Sequence, residues 1–200
     1  HRGYFPVAEL ATFRRLGTRL QGHPTTAEGL PGVRVASGSL GQGLSVAVGV
    51  AQAKKLANDN HLVYVLMGDG EQEEGQIWEA AMYAPAKNVD NIVAIVDYNK
   101  KQIDGPTDDV LSLGDLRAKY ESFGWKVWEC NGNDMKELVD TFNKIRENAH
   151  KGQSQILLAH TEMGMGVDFM MGTHKWHGVA PNDEQAANAL SQLKETLGDY

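Results

Sequence analysis

Cys130 is the only cysteine in this 200-residue chain. One thiol cannot close an internal disulfide, so the fold must hold without covalent staples, and the chain reads as a protein of a reducing compartment. Long apolar runs are missing as well. None approaches the roughly 20 residues that cross a bilayer, and the opening His1-Arg2-Gly3-Tyr4-Phe5-Pro6 lacks the apolar centre of a signal peptide. A soluble, cytoplasmic protein is expected. Nor is there a basic stripe: 19 Lys and Arg are scattered among 26 Asp and Glu, for a net charge of −7, which argues against a nucleic-acid surface. Linkers, repeats and low-complexity tracts are absent too. The chain does not start with methionine, so further native residues upstream of His1 are expected.

What is present fits one globular domain spanning residues 1–200, with 42% hydrophobic and 22% charged residues, enough to build a sizeable core. A helical pattern around Glu9 to Leu20 leads into a loop rich in turn formers, from Gly22-His23-Pro24 to Gly29-Leu30-Pro31-Gly32. Next comes Ser37-Gly38-Ser39-Leu40-Gly41-Gln42-Gly43, a glycine-rich loop opening the small-residue helix Leu44 to Ala57. Such a loop presents free backbone N–H groups to whatever lies in front of it.

From there apolar runs alternate with helical patterns. Strands are expected at Leu62–Leu66, Ile92–Val96, Trp125–Cys130 and Gln155–Thr161, and helices at Gln76–Ala84, Leu113–Phe123, Met135–His150 and Asp183–Leu197. The short β-branched runs read as strands buried on both faces. This alternation predicts an α/β fold, a doubly wound parallel sheet with helices on both faces.

Chemistry concentrates at two strand ends. Met67-Gly68-Asp69-Gly70 follows the first expected strand and Asp97-Tyr98-Asn99 follows the next. Adjacent parallel strands deliver their carboxyl ends to one edge, so Asp69 and Asn99 are expected to converge despite their separation in sequence. A carboxylate and an amide oxygen are hard donors suited to Mg²⁺, which completes its shell with phosphate oxygens and water. Glycines beside Asp69 let backbone amides approach a phosphate, Gly70 being the better candidate. Taken alone, Gly-Asp-Gly is an ordinary turn. With its strand placement and the downstream asparagine it matches the thiamine-diphosphate fingerprint.

Gly22-His23-Pro24, Gly38-Ser39-Leu40-Gly41-Gln42-Gly43, Gly68-Asp69-Gly70, Asn99 through Ile103-Asp104-Gly105, and His177-Gly178 together resemble the transketolase family over nearly the whole chain. The resemblance implies thiamine diphosphate with Mg²⁺ or Ca²⁺ as cofactors, the cation held by Asp69, Asn99 and the backbone carbonyl of Lys101. It implies that Gly38, Ser39 and Leu40 lie beside the aminopyrimidine, with Ser39 standing where relatives usually carry proline. His23 and His177 match histidines that line the substrate channel and act there, His177 beside the cofactor as well. Ketol transfer from a ketose to an aldose, phosphorylated or not, is the implied reaction. The glutamate that activates the aminopyrimidine comes, in this family, from a separate pyrimidine-binding domain. A partner, the C-terminal transketolase subunit, is therefore implied, in a heterotetramer. Deoxyxylulose-phosphate synthase, the alpha subunit of a 2-oxo-acid dehydrogenase, and a non-catalytic homologue share the fingerprint and stand as rival readings.

Several other features carry plainer readings. His174 is read as a solvated loop residue, Cys130 as strand filler, and Met163, Met165, Met170 and Met171 as an adaptable loop surface. The helix Leu44–Ala57, with Ala47, Gly49, Ala51 and Ala53, suits either packing on the sheet or close approach by a partner.

Overall fold

A computed structural model describes residues 3–194. Its centre is a four-stranded, wholly parallel sheet in the order β1 (Val63–Gly68), β2 (Ile92–Tyr98), β6 (Gln155–His160), β5 (Lys126–Asn131). The helices are α1 (Gly43–Leu56), α2 (Gly75–Ala86), α3 (Thr107–Leu111), α4 (Leu116–Phe123), α5 (Met135–Glu147) and α6 (Asp183–Gln192). A two-residue hairpin, β3 (Lys101–Gln102) with β4 (Gly105–Pro106), follows β2.

Strand order explains which face each helix covers. From β1 to β2 and on to β5 the chain moves one way across the sheet, and from β5 to β6 it moves back. Right-handed crossovers send those two directions to opposite faces. Accordingly Leu44, Val48, Ile77, Ala81 and Tyr120 of α1, α2 and α4 pack on Val65, Met67, Ala94, Val96, Ile156 and Leu158. On the other face Ile145 of α5 packs on Val93, Leu157 and Ala159. The doubly wound expectation holds.

The edge strand departs from what the apolar runs suggested. Strands β2 and β6 are buried on both faces, but Tyr64 and Leu66 of β1 are 48% and 71% exposed, because α5 lies over the other end of the sheet. The expected helix at Glu9–Leu20 also gives way. A 3₁₀ turn covers Val7–Thr12 and stops there, with Arg14 and Gly17 at positive φ. Thr12 and Thr18 supply the reason, since their hydroxyls bond the carbonyls of Glu9 and Thr12 at 2.7 and 2.9 Å and compete with helical pairing. Helix α6 ends at Gln192, where Leu193 turns extended, and Leu197 lies outside the described residues. Among the described residues no helix is long and apolar enough to cross a membrane.

Candidate functional site: a carboxylate-rich cavity at the strand ends

Register brings the two strand ends together. Gly68 of β1 pairs with Asp97 of β2, and the ladder runs one step further as the Asp69 N–H donates to the Asp97 carbonyl at 3.2 Å. Asp69 and Asn99 therefore leave neighbouring strands at the same edge. They line one cavity of about 480 Å³ together with Ser39, Leu40, Gly70, Lys101 and His177. His23 and Gly38 are not in that lining. They pack on each other instead, so tightly that a Cβ on Gly38 would come within 3.1 Å of the His23 ring.

Asp69 is only 1% exposed, and its carboxylate is fixed by the chain around it. It accepts the Gly70 N–H at 2.8 Å and also the N–H of Lys100. To deliver that second N–H, Lys100 sits in the left-handed region at φ 62°, a conformation that costs a non-glycine residue energy and tends to mark sites where geometry matters. Burial pushes the Asp69 carboxyl above its ordinary range, against the pull of the Lys100 and Gly70 N–H groups. Next along the chain, the Asn99 side-chain oxygen accepts the Lys101 N–H at 2.9 Å, which closes a small turn and sets the amide facing the cavity.

Glycine at position 70 serves packing as well as approach. A Cβ there would lie 2.5 Å from Cβ of Gln102, so the β3–β4 hairpin rests directly on the Gly-Asp-Gly turn. The segment carrying His177 is fastened from two sides. Glu162 accepts the Lys101 ammonium at 3.2 Å and the Gly172 N–H at 2.8 Å, while the Trp176 indole N–H donates to the Phe169 carbonyl at 3.0 Å. His177 itself is exposed, and the adjacent Gly178 lies against Ile103 at the hairpin tip.

Sequence reasoning missed the second tier. Glu71 takes two backbone N–H groups, from Gly41 at 2.8 Å and Gly68 at 3.1 Å. Gln72, fully buried, donates to the Gly68 carbonyl at 3.0 Å and accepts the Tyr120 hydroxyl at 2.6 Å. The available signal was position, because both residues directly follow the Gly-Asp-Gly turn.

Charge decides what this cavity accepts. Six carboxylates line it, those of Asp69, Glu71, Glu73, Glu74, Asp97 and Asp104. Its one lysine is already paired with Glu162. One Glu73 oxygen is buried there without a hydrogen-bond partner, and burial, followed by the charges of Asp69, Glu74 and Asp104, pushes that carboxyl upward. An anion entering alone meets repulsion, whereas a divalent cation supplies the missing charge. Among the described residues no group of three or more His, Cys, Asp and Glu side chains is arranged as a metal cage. The donors available are thus one carboxylate, one amide and backbone oxygen, a set that suits a hard cation sharing its shell with phosphate.

A parallel α/β sheet with an acid and an amide on adjacent strand ends defines a cation- and phosphate-binding domain. The family model described as transketolase, thiamine diphosphate binding domain, matches residues 2–198. One of the two subunits named for apulose-4-phosphate transketolase in Phocaeicola vulgatus is 42% identical over 98% of this chain and 68% of its own length. A 6-deoxy-6-sulfo-D-fructose transketolase subunit from a Clostridium species is 37% identical over 97% of this chain and 70% of its own. Solved transketolases superpose well. The Campylobacter jejuni enzyme gives a TM-score of 0.83 at 31% identity over 92% of this chain, and the Pichia stipitis enzyme with fructose 6-phosphate gives 0.84 at 28% over 94%. This chain spans about 29% of either structure. The chain belongs to the transketolase family and is its thiamine diphosphate binding domain.

Proposed function

We propose that this domain holds the diphosphate end of thiamine diphosphate through Mg²⁺ or Ca²⁺ and, with a partner subunit carrying the pyrimidine-binding domain, transfers a two-carbon ketol unit from a ketose to an aldose. The observation that carries the reading is the convergence of buried Asp69 and of Asn99 in a cavity crowded with carboxylates. Asp69, Asn99 and the Lys101 carbonyl hold the cation. Gly70 presents its short backbone to the diphosphate, and Gly38, Ser39 and Leu40 flank the aminopyrimidine. When bound, the cofactor supplies a carbon nucleophile that adds to the ketose carbonyl and carries the two-carbon unit.

The protein's own contribution is placement and proton handling. His177, on a loop fastened over the cavity, meets the substrate's hydroxyl and carbonyl oxygens and eases proton transfer as bonds form and break. His23, packed on Gly38, does the same from the opposite rim. The exposed apolar groups Val46 and Val50 on α1 and Met82 and Tyr83 on α2 offer the partner a surface, while Leu44, Ala47, Val48 and Ala51 of α1 pack inward. Both relatives are named as subunits of transketolases, which supports a partner. Their names also support sugars with a phosphate or sulfonate end group as substrates. A heterotetramer in the cytoplasm completes the reading.

Two measurements test it. Titration calorimetry with thiamine diphosphate and Mg²⁺ should show binding to the assembled enzyme and none to Asp69→Ala, with circular dichroism unchanged. Equal affinity in the variant removes Asp69 from the site. Ketol transfer should be absent from the purified chain and appear on mixing with the partner subunit, so full activity of this polypeptide alone refutes the need for a partner.

A further inference from the structure

We infer that Glu71 is a positioning residue, a two-headed clamp that sets the distance between the two walls of the cofactor cavity. The inference rests on the cofactor reading above and assigns a role to a residue that neither contributes to the fingerprint nor serves as a metal donor. The cavity has Ser39 and Leu40 on one wall and Gly68, Asp69 and Gly70 on the other. These walls come from loops some thirty residues apart. Glu71 joins them, one oxygen taking the Gly41 N–H at 2.8 Å and the other the Gly68 N–H at 3.1 Å.

Each end of this bridge is shaped to receive it. Gly41 is buried at φ +93°, and a Cβ there would meet Glu74 at 2.8 Å, so only glycine lets the loop come down onto the start of α2. It lies just ahead of α1, a 14-residue helix whose N-terminal partial positive charge favours a carboxylate. Gly68 is gripped on its other side by Gln72, which Tyr120 locks from α4. The Gly-Asp-Gly turn is therefore tied to the core, and Glu71 extends that rigidity to the loop bearing Ser39 and Leu40. Two acceptor oxygens are required. Glutamine offers one oxygen and turns an NH₂ group toward a backbone N–H, and alanine offers neither.

Hydrogen exchange on the unliganded full chain, followed by mass spectrometry, reads the clamp directly. Glu71→Gln should speed exchange in peptides containing Gly41 or Gly68, and Glu71→Ala in both, while Glu121→Gln on the outer face of α4 changes neither. Affinity for thiamine diphosphate with Mg²⁺ should fall about tenfold or more in Glu71→Ala, the scale of one lost charge-assisted hydrogen bond, with Glu71→Gln in between. Unaltered exchange at both glycines overturns the clamp. Faster exchange with wild-type affinity overturns its role in positioning the cofactor. A lowered unfolding midpoint without local change in exchange assigns Glu71 to general stability and also overturns it. Failure of the wild-type enzyme to bind the cofactor strikes the parent reading instead, and the exchange result then still decides whether the clamp exists.

Discussion

Replacing Tyr120 with phenylalanine removes one oxygen atom from the core and leaves its volume almost unchanged. That oxygen donates to Gln72 at 2.6 Å, and neither side chain is exposed to solvent. Gln72 in turn holds the Gly68 carbonyl at 3.0 Å, and its own N–H donates to the Asp69 carbonyl at 2.9 Å. In Tyr120→Phe the Gln72 oxygen is left buried without a donor, which costs about 1 to 3 kcal/mol. For a domain of this size that lowers Tm by about 2 to 12 °C. Burial pushes the Tyr120 hydroxyl far above its ordinary range, so it stays protonated and the loss should be the same in acid and alkaline buffer. Denaturant titration should show a lower midpoint at unchanged slope. Gln72→Leu should cost a similar amount because it strands the hydroxyl, and the double variant should cost clearly less than the sum of the two. A wild-type midpoint for Tyr120→Phe, or strict additivity in the double variant, would refute the buried network as drawn.

Other expectations follow from the same geometry. His177→Ala should reduce turnover of the assembled enzyme by about 10²-fold with far less change in cofactor affinity, and wild-type kinetics would dismiss the assignment. Cofactor and cation should strengthen each other's binding reciprocally, since the carboxylates lining the cavity repel an unaccompanied diphosphate; calorimetry finding equal thiamine diphosphate affinity with and without Mg²⁺ would contradict this. Asp90 gives a pH-dependent case. Burial works against its charge, but Lys55 at 2.7 Å and the Gly152 N–H at 3.0 Å outweigh it and hold the carboxyl below its ordinary value. A lowered folded pKa contributes stability above the unfolded carboxylate range and loses it as pH falls through the folded value. Asp90→Asn should therefore cost about 1 kcal/mol at neutral pH and nearly nothing in strong acid, as read from unfolding curves at the two extremes; a cost that persists in acid rules out the charge as its source.

Much of the fold was legible because its signals are redundant. Apolar runs such as Ile92–Val96, alternating with helical stretches, leave few alternatives to a parallel sheet, and handedness then distributes the helices. Elements were misread where one local contact overrides a periodic pattern. Around Glu9–Leu20 the spacing suggested a helix, yet threonine hydroxyls and the left-handed Arg14 and Gly17 ended it early. The β3–β4 hairpin and α3 are too short to imprint any period, spanning two paired residues and five residues respectively. The open face of β1 escaped for a different reason. Tyr64 and Leu66 read as buried by composition, and only the position of α5 leaves them uncovered.

The site divides along the same line. Asp69 and Asn99 were legible as a pair because strand register is a strong constraint: once two parallel strands are adjacent, the residues just past their carboxyl ends must meet. Lys101 and His177 share the cavity because a hairpin and a fastened loop cover that edge. His23, by contrast, depends on one loop's path, and it packs on Gly38 outside the lining that holds His177. Glu71 and Gln72 were illegible in principle from a single sequence, since an acid and an amide after a turn most simply mark a helix start. Their partners, Gly41, Gly68 and Tyr120, lie as far as 48 residues away and are found only by following hydrogen bonds in three dimensions. Groups that contact a ligand must sit at strand ends, where topology advertises them. Groups that hold those strand ends in place can come from anywhere the fold brings a donor within reach, and that is why the supporting tier appears only in the structure.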